Sequence, residues 1–328
     1  MLTATGNATA DRILHGLVGI LEVVFPGRIR GYYLEGSYAD QTALTTSDID
    51  LIILFKGSFI DETEHAKAEQ IVEHYSMVSA LELDVSFLDE KQIATGVPPA
   101  LKLGSTVLFG EPAPNEFPLV SVTEWGRERM HAAYWLTTKV FGRPPVVTYP
   151  RDYPRPEAEF YGYTERTIRF ADGNEVPSTR DLIRVMGWAA TALVAYQGKQ
   201  VVPRKKECHL FYRTYINDEW SALFEAIYHQ CRTQWHYRIP EQTNERHELR
   251  RICRRALAFE NHFLDVYKQF LLSELHGADL PAKRHALWVQ GKIPYMDQEI
   301  IATVRALVNR QEEALHEAAT DALHALER

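Results

Sequence analysis

Apolar residues recur at helical spacing from Ile13 through Leu14, Leu17, Val18, Leu21 and Val24 to Phe25, and the pattern stops at Pro26-Gly27. This predicts a first helix over residues 9–25. A run from Ile29 to Leu34 predicts a strand that delivers the chain to Gly36-Ser37, and a second apolar run predicts a strand over 50–55, stopped by Lys56-Gly57. Residues 61–79 are polar with Ala66, Ile71, Val72 and Met77 interspersed, as in a helix covering one face of a sheet. Residues 80–88 alternate: Leu81, Leu83, Val85 and Phe87 take one face of a strand, and Glu82, Asp84 and Ser86 take the other. A breaker with a short helix or loop follows over 96–104, then a strand from Ser105 to Phe109 ended by Gly110. EPAPNEFP, with its three prolines, marks the boundary between a domain spanning 1–115 and one spanning 116–328.

Beyond that boundary the period is helical. A helix is predicted over 121–140, and a strongly apolar, buried one over 179–197, with Gly198 as its stop. Between them, residues 141–163 are rich in proline and aromatic rings and predict an ordered loop without regular structure, either stacking on a ligand or pinning itself to the helices. Residues 218–328 are helical by pattern. One helix there carries Leu249, Ile252, Cys253, Ala256, Leu257, Phe263 and Leu264 on one side, with Arg246, Arg250, Arg251, Arg254 and Arg255 mostly on the other. That arginine face is expected to be solvated and partnered by nearby glutamates.

Composition changes this picture little. Hydrophobic residues at 45% and charged residues at 24% are ordinary for a globular protein that buries a sizeable core. A net charge of −8 argues against a broad nucleic-acid footprint and suits a cationic small substrate better. No apolar stretch approaches the roughly 20 residues that span a bilayer, and the polar N-terminus lacks a secretory pattern, so a cytoplasmic location is expected. Cys208, Cys231 and Cys253 form no CxxC and read as reduced, partly buried thiols.

The chemistry gathers in LEGSYADQTALTTSDIDLIIL, residues 34–54. Asp48 and Asp50 stand two apart at a strand, so both carboxylates project to one side. Such neighbours repel unless a cation joins them, which makes the pair costly as architecture and useful for a hard metal. Gly36 permits a close backbone turn, and the residues after Ser37 are expected to start a helix whose N–H groups face an anion. Together these parts suit a nucleoside triphosphate held with Mg²⁺.

A Gly-Ser pair followed about ten residues later by Asp-x-Asp resembles the signature of the DNA polymerase β-type nucleotidyltransferase superfamily. The resemblance implies an α+β fold: an N-terminal catalytic domain with a small mixed sheet and helices, followed by an all-helical C-terminal domain that binds the acceptor. It also implies a third carboxylate on a neighbouring strand, for which Asp84 is the superfamily choice as a metal ligand beside Asp48 and Asp50. A closer resemblance, to aminoglycoside adenylyltransferases of the streptomycin and spectinomycin type, lies in Ala80-Leu81-Glu82 and implies that Glu82 is the base. That family has a neutral residue where this chain has Asp84, so the exchange of roles between Glu82 and Asp84 stays open. The same resemblance implies a lysine at a helix start after a glycine-ended helix. Lys205 matches best, with Lys206 one place away, and it would reach the triphosphate together with Gly36 and Ser37. The alternative is a solvated PRKK turn.

The activity implied is Mg²⁺-dependent transfer of AMP from ATP to a hydroxyl of an aminoglycoside-like, cationic small molecule, with release of pyrophosphate, as in antibiotic resistance. Two other readings stand beside it: AMP transfer to a protein hydroxyl by a minimal, toxin-associated nucleotidyltransferase, and a catalytically silent nucleotide-binding module. A monomer or a homodimer is compatible with each.

Overall fold

The strand β2 (Ile49–Phe55) is buried along its whole length, which is why its sequence reads as apolar on both faces. In the computed structural model, which describes residues 2–169, 174–310 and 313–327, β2 lies inside a four-stranded sheet of order β3-β2-β1-β4. The neighbours are β1 (Ile29–Glu35), β3 (Leu83–Asp89) and β4 (Thr106–Gly110). β1 runs antiparallel to β2 and to β4, whereas β3 is parallel to β2. The sheet is therefore mixed, as expected.

One face of the sheet packs on two helices, α1 (Ala8–Val24) and α3 (Glu62–Val78). Leu14, Leu17 and Leu21 of α1 and Ala68 and Val72 of α3 join Ile49, Leu51, Ile53 and Phe55 in one apolar cluster. Asn7 caps α1 by accepting from the N–H groups of Thr9 and Ala10, and Asp61 caps α3 in the same way through Thr63 and Glu64. Across the sheet, Ile52 and Leu54 meet Tyr33, Ile93, Val97 and Leu101. Asp50 belongs to this second side by alternation. Its position decides where the chemistry sits.

One local expectation is corrected and two are refined. The helix after Ser37 is a single turn, α2 (Gly36–Ala39), because Asp40 to Thr46 form turns and loop rather than more helix. With so few aligned peptides it has little dipole to offer an anion. β3 starts at Leu83, not at residue 80, so Glu82 stands at its entrance, where its carbonyl accepts from Ile49 N–H at 2.9 Å. The segment read as a short helix or loop near residue 100 is a wide helical turn, Ala100–Gly104. The short strands β5 (Thr167–Arg169) and β6 (Glu175–Pro177) pair with each other and had no visible signal in the sequence.

By internal contacts the chain forms two units. One is Met1–Trp125 with Ile168–Val176 and Val201–Cys208; the other is Gly126–Thr167 with Pro177–Gln200 and His209–Arg328. The second unit is helical. It holds most of α5 (Val122–Lys139), the buried α6 (Arg180–Tyr196), most of α7 (Cys208–Tyr215), the short α8 (Ser221–Ala226), the 34-residue α9 (Thr243–His276), and α10 (Leu280–Lys292), α11 (Gln298–Asn309) and α12 (Glu313–Leu326). No helix among the described residues is long and apolar enough to cross a membrane. The three cysteines form no disulfide and are buried. The arginines of α9 are only partly matched by glutamates. Arg246 pairs with Glu159 and Arg251 with Glu248, whereas Arg250 and Arg254 both donate to the hydroxyl of Tyr161 and Arg255 donates to the carbonyl of Glu219.

Inside this unit Tyr134 and Tyr267 stack at 4.1 Å, and the Tyr267 hydroxyl lies 2.9 Å from Nδ1 of the buried His131. Burial pushes the His131 pKa down to about 3, with His285 and Arg127 adding to the effect. His131 is thus neutral in the fold and protonates first in the unfolded chain, so its contribution is complete above the unfolded pKa and is lost as pH falls toward 3. Between pH 7 and pH 5 this one group should remove about 2 kcal/mol of stability. Urea titrations of the native protein and of His131→Gln at both pH values will show the difference as a shallower pH slope in the variant.

Candidate active site

β1 ends at Glu35, which is paired in register with Asp50 of β2, and Asp50 is paired with Asp84 of β3. Residues opposite one another in neighbouring strands share a face. Three carboxylates therefore form a row across the sheet, with Asp48 just before β2 and Glu82 just before β3 one step along on the same side. Asp50 is 8% exposed, Asp48 is intermediate, and Glu82 and Asp84 on the edge strand are exposed. Among the described residues no three His, Cys, Asp or Glu side chains converge closely enough to hold a metal. Glu35 was not among the residues singled out from the sequence.

The α2 turn closes directly on this row. Gly36 has φ +60, and a Cβ there would run into Oδ2 of Asp50, with Cγ only 3.1 Å away. Both the backbone conformation and the space demand glycine. The turn continues with Asp40 N–H donating to Gly36 O at 3.0 Å and Thr42 N–H donating to Ser37 O at 2.8 Å. Further on, Leu44 N–H donates to Ser47 Oγ at 2.9 Å and Ser47 N–H to Leu44 O at 3.0 Å, which locks the loop that leads into Asp48. Ser37 Oγ and the Tyr38 hydroxyl are buried without a hydrogen-bond partner. Burial, then Asp48 and Asp11, push the Tyr38 phenol up. A buried hydroxyl lacking a partner costs free energy unless a ligand supplies one.

Of the adjacent lysines, Lys205 is the one that reaches Asp50. It opens a one-turn 3₁₀ helix, Lys205–Glu207, ahead of α7, and its Nζ donates to Asp50 Oδ1 at 2.8 Å. Lys206 Nζ instead lies 3.3 Å from Asp40, as does Arg204 Nε. Burial raises the Asp50 carboxyl pKa; Lys205 opposes the rise, and Asp48 and Asp84 add to it. On Lys205, burial works against the charge, but Asp50, followed by Asp48 and Glu35, outweighs it and raises the pKa. The lysine side chain is 65% exposed and that of Asp50 11%, so water screens the pair from one side only.

The carboxylates offer oxygen donors alone, the chemistry that a hard divalent cation takes, and Gly36 makes room for the Asp50 carboxylate itself. The unpartnered Ser37 hydroxyl and the Lys205 ammonium suit phosphate oxygens. Asp48, Asp50, Asp84, Glu82, Gly36, Ser37 and Lys205 all fall in the first unit. Asp50 is the residue that Gly36, Lys205 and the register with Asp84 have in common.

Three comparisons bear on this arrangement. Residues 20–98 match the family described as a nucleotidyltransferase domain. No curated protein matches the chain. Among solved structures the chain is similar to a spectinomycin adenyltransferase from Enterococcus faecialis, crystallised with ATP and spectinomycin. The identity is 10%, the match covers 74% of this chain and 98% of that one, and the TM-score is 0.38.

Gly36→Ala tests the closure of the turn on Asp50. A left-handed alanine costs about 1–2 kcal/mol before the clash is counted, so thermal unfolding of the variant should begin several degrees earlier than in the native protein.

Proposed function

We propose, from the match of residues 20–98 to a nucleotidyltransferase domain, that this chain transfers AMP from ATP to a hydroxyl group of a small cationic acceptor of the aminoglycoside kind. The observation that carries the reading is the buried Asp50 carboxylate, in register with Asp84 and flanked by the Gly36 turn and the Lys205 ammonium. Asp48, Asp50 and Asp84 would hold Mg²⁺, which when bound supplies positive charge against the nucleotide phosphates.

Gly36 lets the turn close on Asp50, Ser37 offers a hydroxyl to a phosphate oxygen, and Lys205 offers an ammonium. Glu82 stands at the strand entrance with its side chain exposed, where an acceptor hydroxyl can approach it. The acceptor oxygen attacks the α-phosphorus while its proton passes to the Glu82 carboxylate. The α–β phosphoanhydride bond breaks, and pyrophosphate leaves with the bonding pair. Asp84 is assigned to the cation because it pairs with Asp50 and adds to the charge felt there. The acidic surplus of the chain, a net −8, and the exposed carboxylates of the edge strand favour a cationic acceptor over an anionic one.

Asp50→Asn should abolish pyrophosphate release from ATP plus an amino-sugar antibiotic while the circular dichroism spectrum stays native; undiminished turnover refutes the assignment. Glu82→Gln should keep its affinity for an unreactive ATP analogue and lose about 10²–10⁴ in kcat. With α-phosphate-labelled ATP, the label should appear on the small acceptor. Label on protein instead would discard the small-molecule acceptor and keep the transfer chemistry.

A further inference from the structure

Asp40 follows the last residue of the Gly36–Ala39 turn, and its side chain is 5% exposed. Two cations share its Oδ1: Arg204 Nε and Lys206 Nζ, each at 3.3 Å. The residue between them goes elsewhere, to Asp50. Three consecutive like charges repel, and in a loose loop they would point apart into water. Here the outer two are collected by one buried carboxylate, and the middle one projects to the next carboxylate. A second anchor on Arg204, Glu207 at 3.8 Å, lies within the basic segment itself and ties it to nothing else.

Both carboxylates adjoin the same turn. Its first residue, Gly36, closes on Asp50, and Asp40 is bonded back to Gly36 through its N–H. One helical turn thus lies beside both grips. A lysine already held in place gives up little rotamer freedom when a phosphate arrives, whereas a free one gives up most of it.

We propose that Asp40 is a positioning residue for nucleotide binding: by gripping Arg204 and Lys206 it holds Lys205 beside Asp50, where the phosphates of the nucleotide are received. Asp40 touches no reacting atom and acts through Lys205. The inference rests on the nucleotidyl-transfer reading.

The test is Asp40→Asn, close in shape but uncharged, measured by calorimetry with an unreactive ATP analogue and Mg²⁺ and by steady-state kinetics. Analogue affinity should fall about tenfold and the KM for ATP rise with it, while kcat stays within about threefold, as expected for a residue that contributes to binding alone. Asp40→Glu should recover most of the affinity. The double variant Arg204→Gln/Lys206→Gln should show the same loss, and combining it with Asp40→Asn should add almost nothing, since all three changes break one linkage. On a Lys205→Met background none of them should matter further. Unchanged affinity in Asp40→Asn, losses that add, or losses that persist without Lys205 would each overturn the proposal. Should Asp40→Asn fail to fold, the Arg204→Gln/Lys206→Gln and Lys205→Met arms decide it alone. Failure of the wider reading is distinguishable, because it appears as an active Asp50→Asn, whatever Asp40→Asn does.

Discussion

The structure around the site depends on one constraint: a carboxylate held in the middle of a sheet, on a strand whose other residues are all apolar. Asp50 is 8% exposed between Ile49 and Leu51, which are nearly fully buried. A buried charge of this kind is tolerated only with a partner or a ligand. The chain supplies one partner in Lys205, brought from far along the sequence, and a glycine whose missing side chain leaves room for the carboxylate itself. Asp48, Asp84 and Glu35 then add negative charge nearby. They make the pair worse as a structural element and better as a receptor for cations and phosphates held together by them.

Much of this was legible in the sequence because it obeys simple periods. The alternation of Leu83, Asp84, Val85 and Ser86 gave an edge strand with one polar face, and the structure pairs Asp84 with Asp50 as that alternation requires. The apolar spacing of Leu14, Leu17 and Leu21 gave the helix that covers the sheet. Gly36 could be read as a turn residue. That its missing side chain makes room for Asp50 could not, because that contact joins residues fourteen apart through a fold that the sequence does not spell out.

Other features left no periodic trace. Asp40 sits in a short polar stretch that reads as ordinary loop, and its role appears only when Arg204 and Lys206 arrive from far along the chain. Glu35 ends a strand whose partner decides what it faces. The helix at Gly36–Ala39 ends after one turn, a length that local propensity does not foretell because tertiary packing decides where a helix stops. The arginine stripe of α9 was read correctly as a surface, but two of its members found a tyrosine hydroxyl rather than a carboxylate. Helical spacing predicts which residues share a face and says nothing of what a distant loop lays over it.

The assignment of Val201–Cys208 to the first unit, with chain of the second unit on either side of it, has a consequence for how the protein is made. The strands and helices of the sheet are complete by about residue 125, yet the ammonium that balances Asp50 emerges from the ribosome roughly eighty residues later. At ~5–20 residues per second that is a delay on the order of 4–16 seconds. During that interval the nascent sheet carries Asp50 without the lysine that pairs with it in the finished fold.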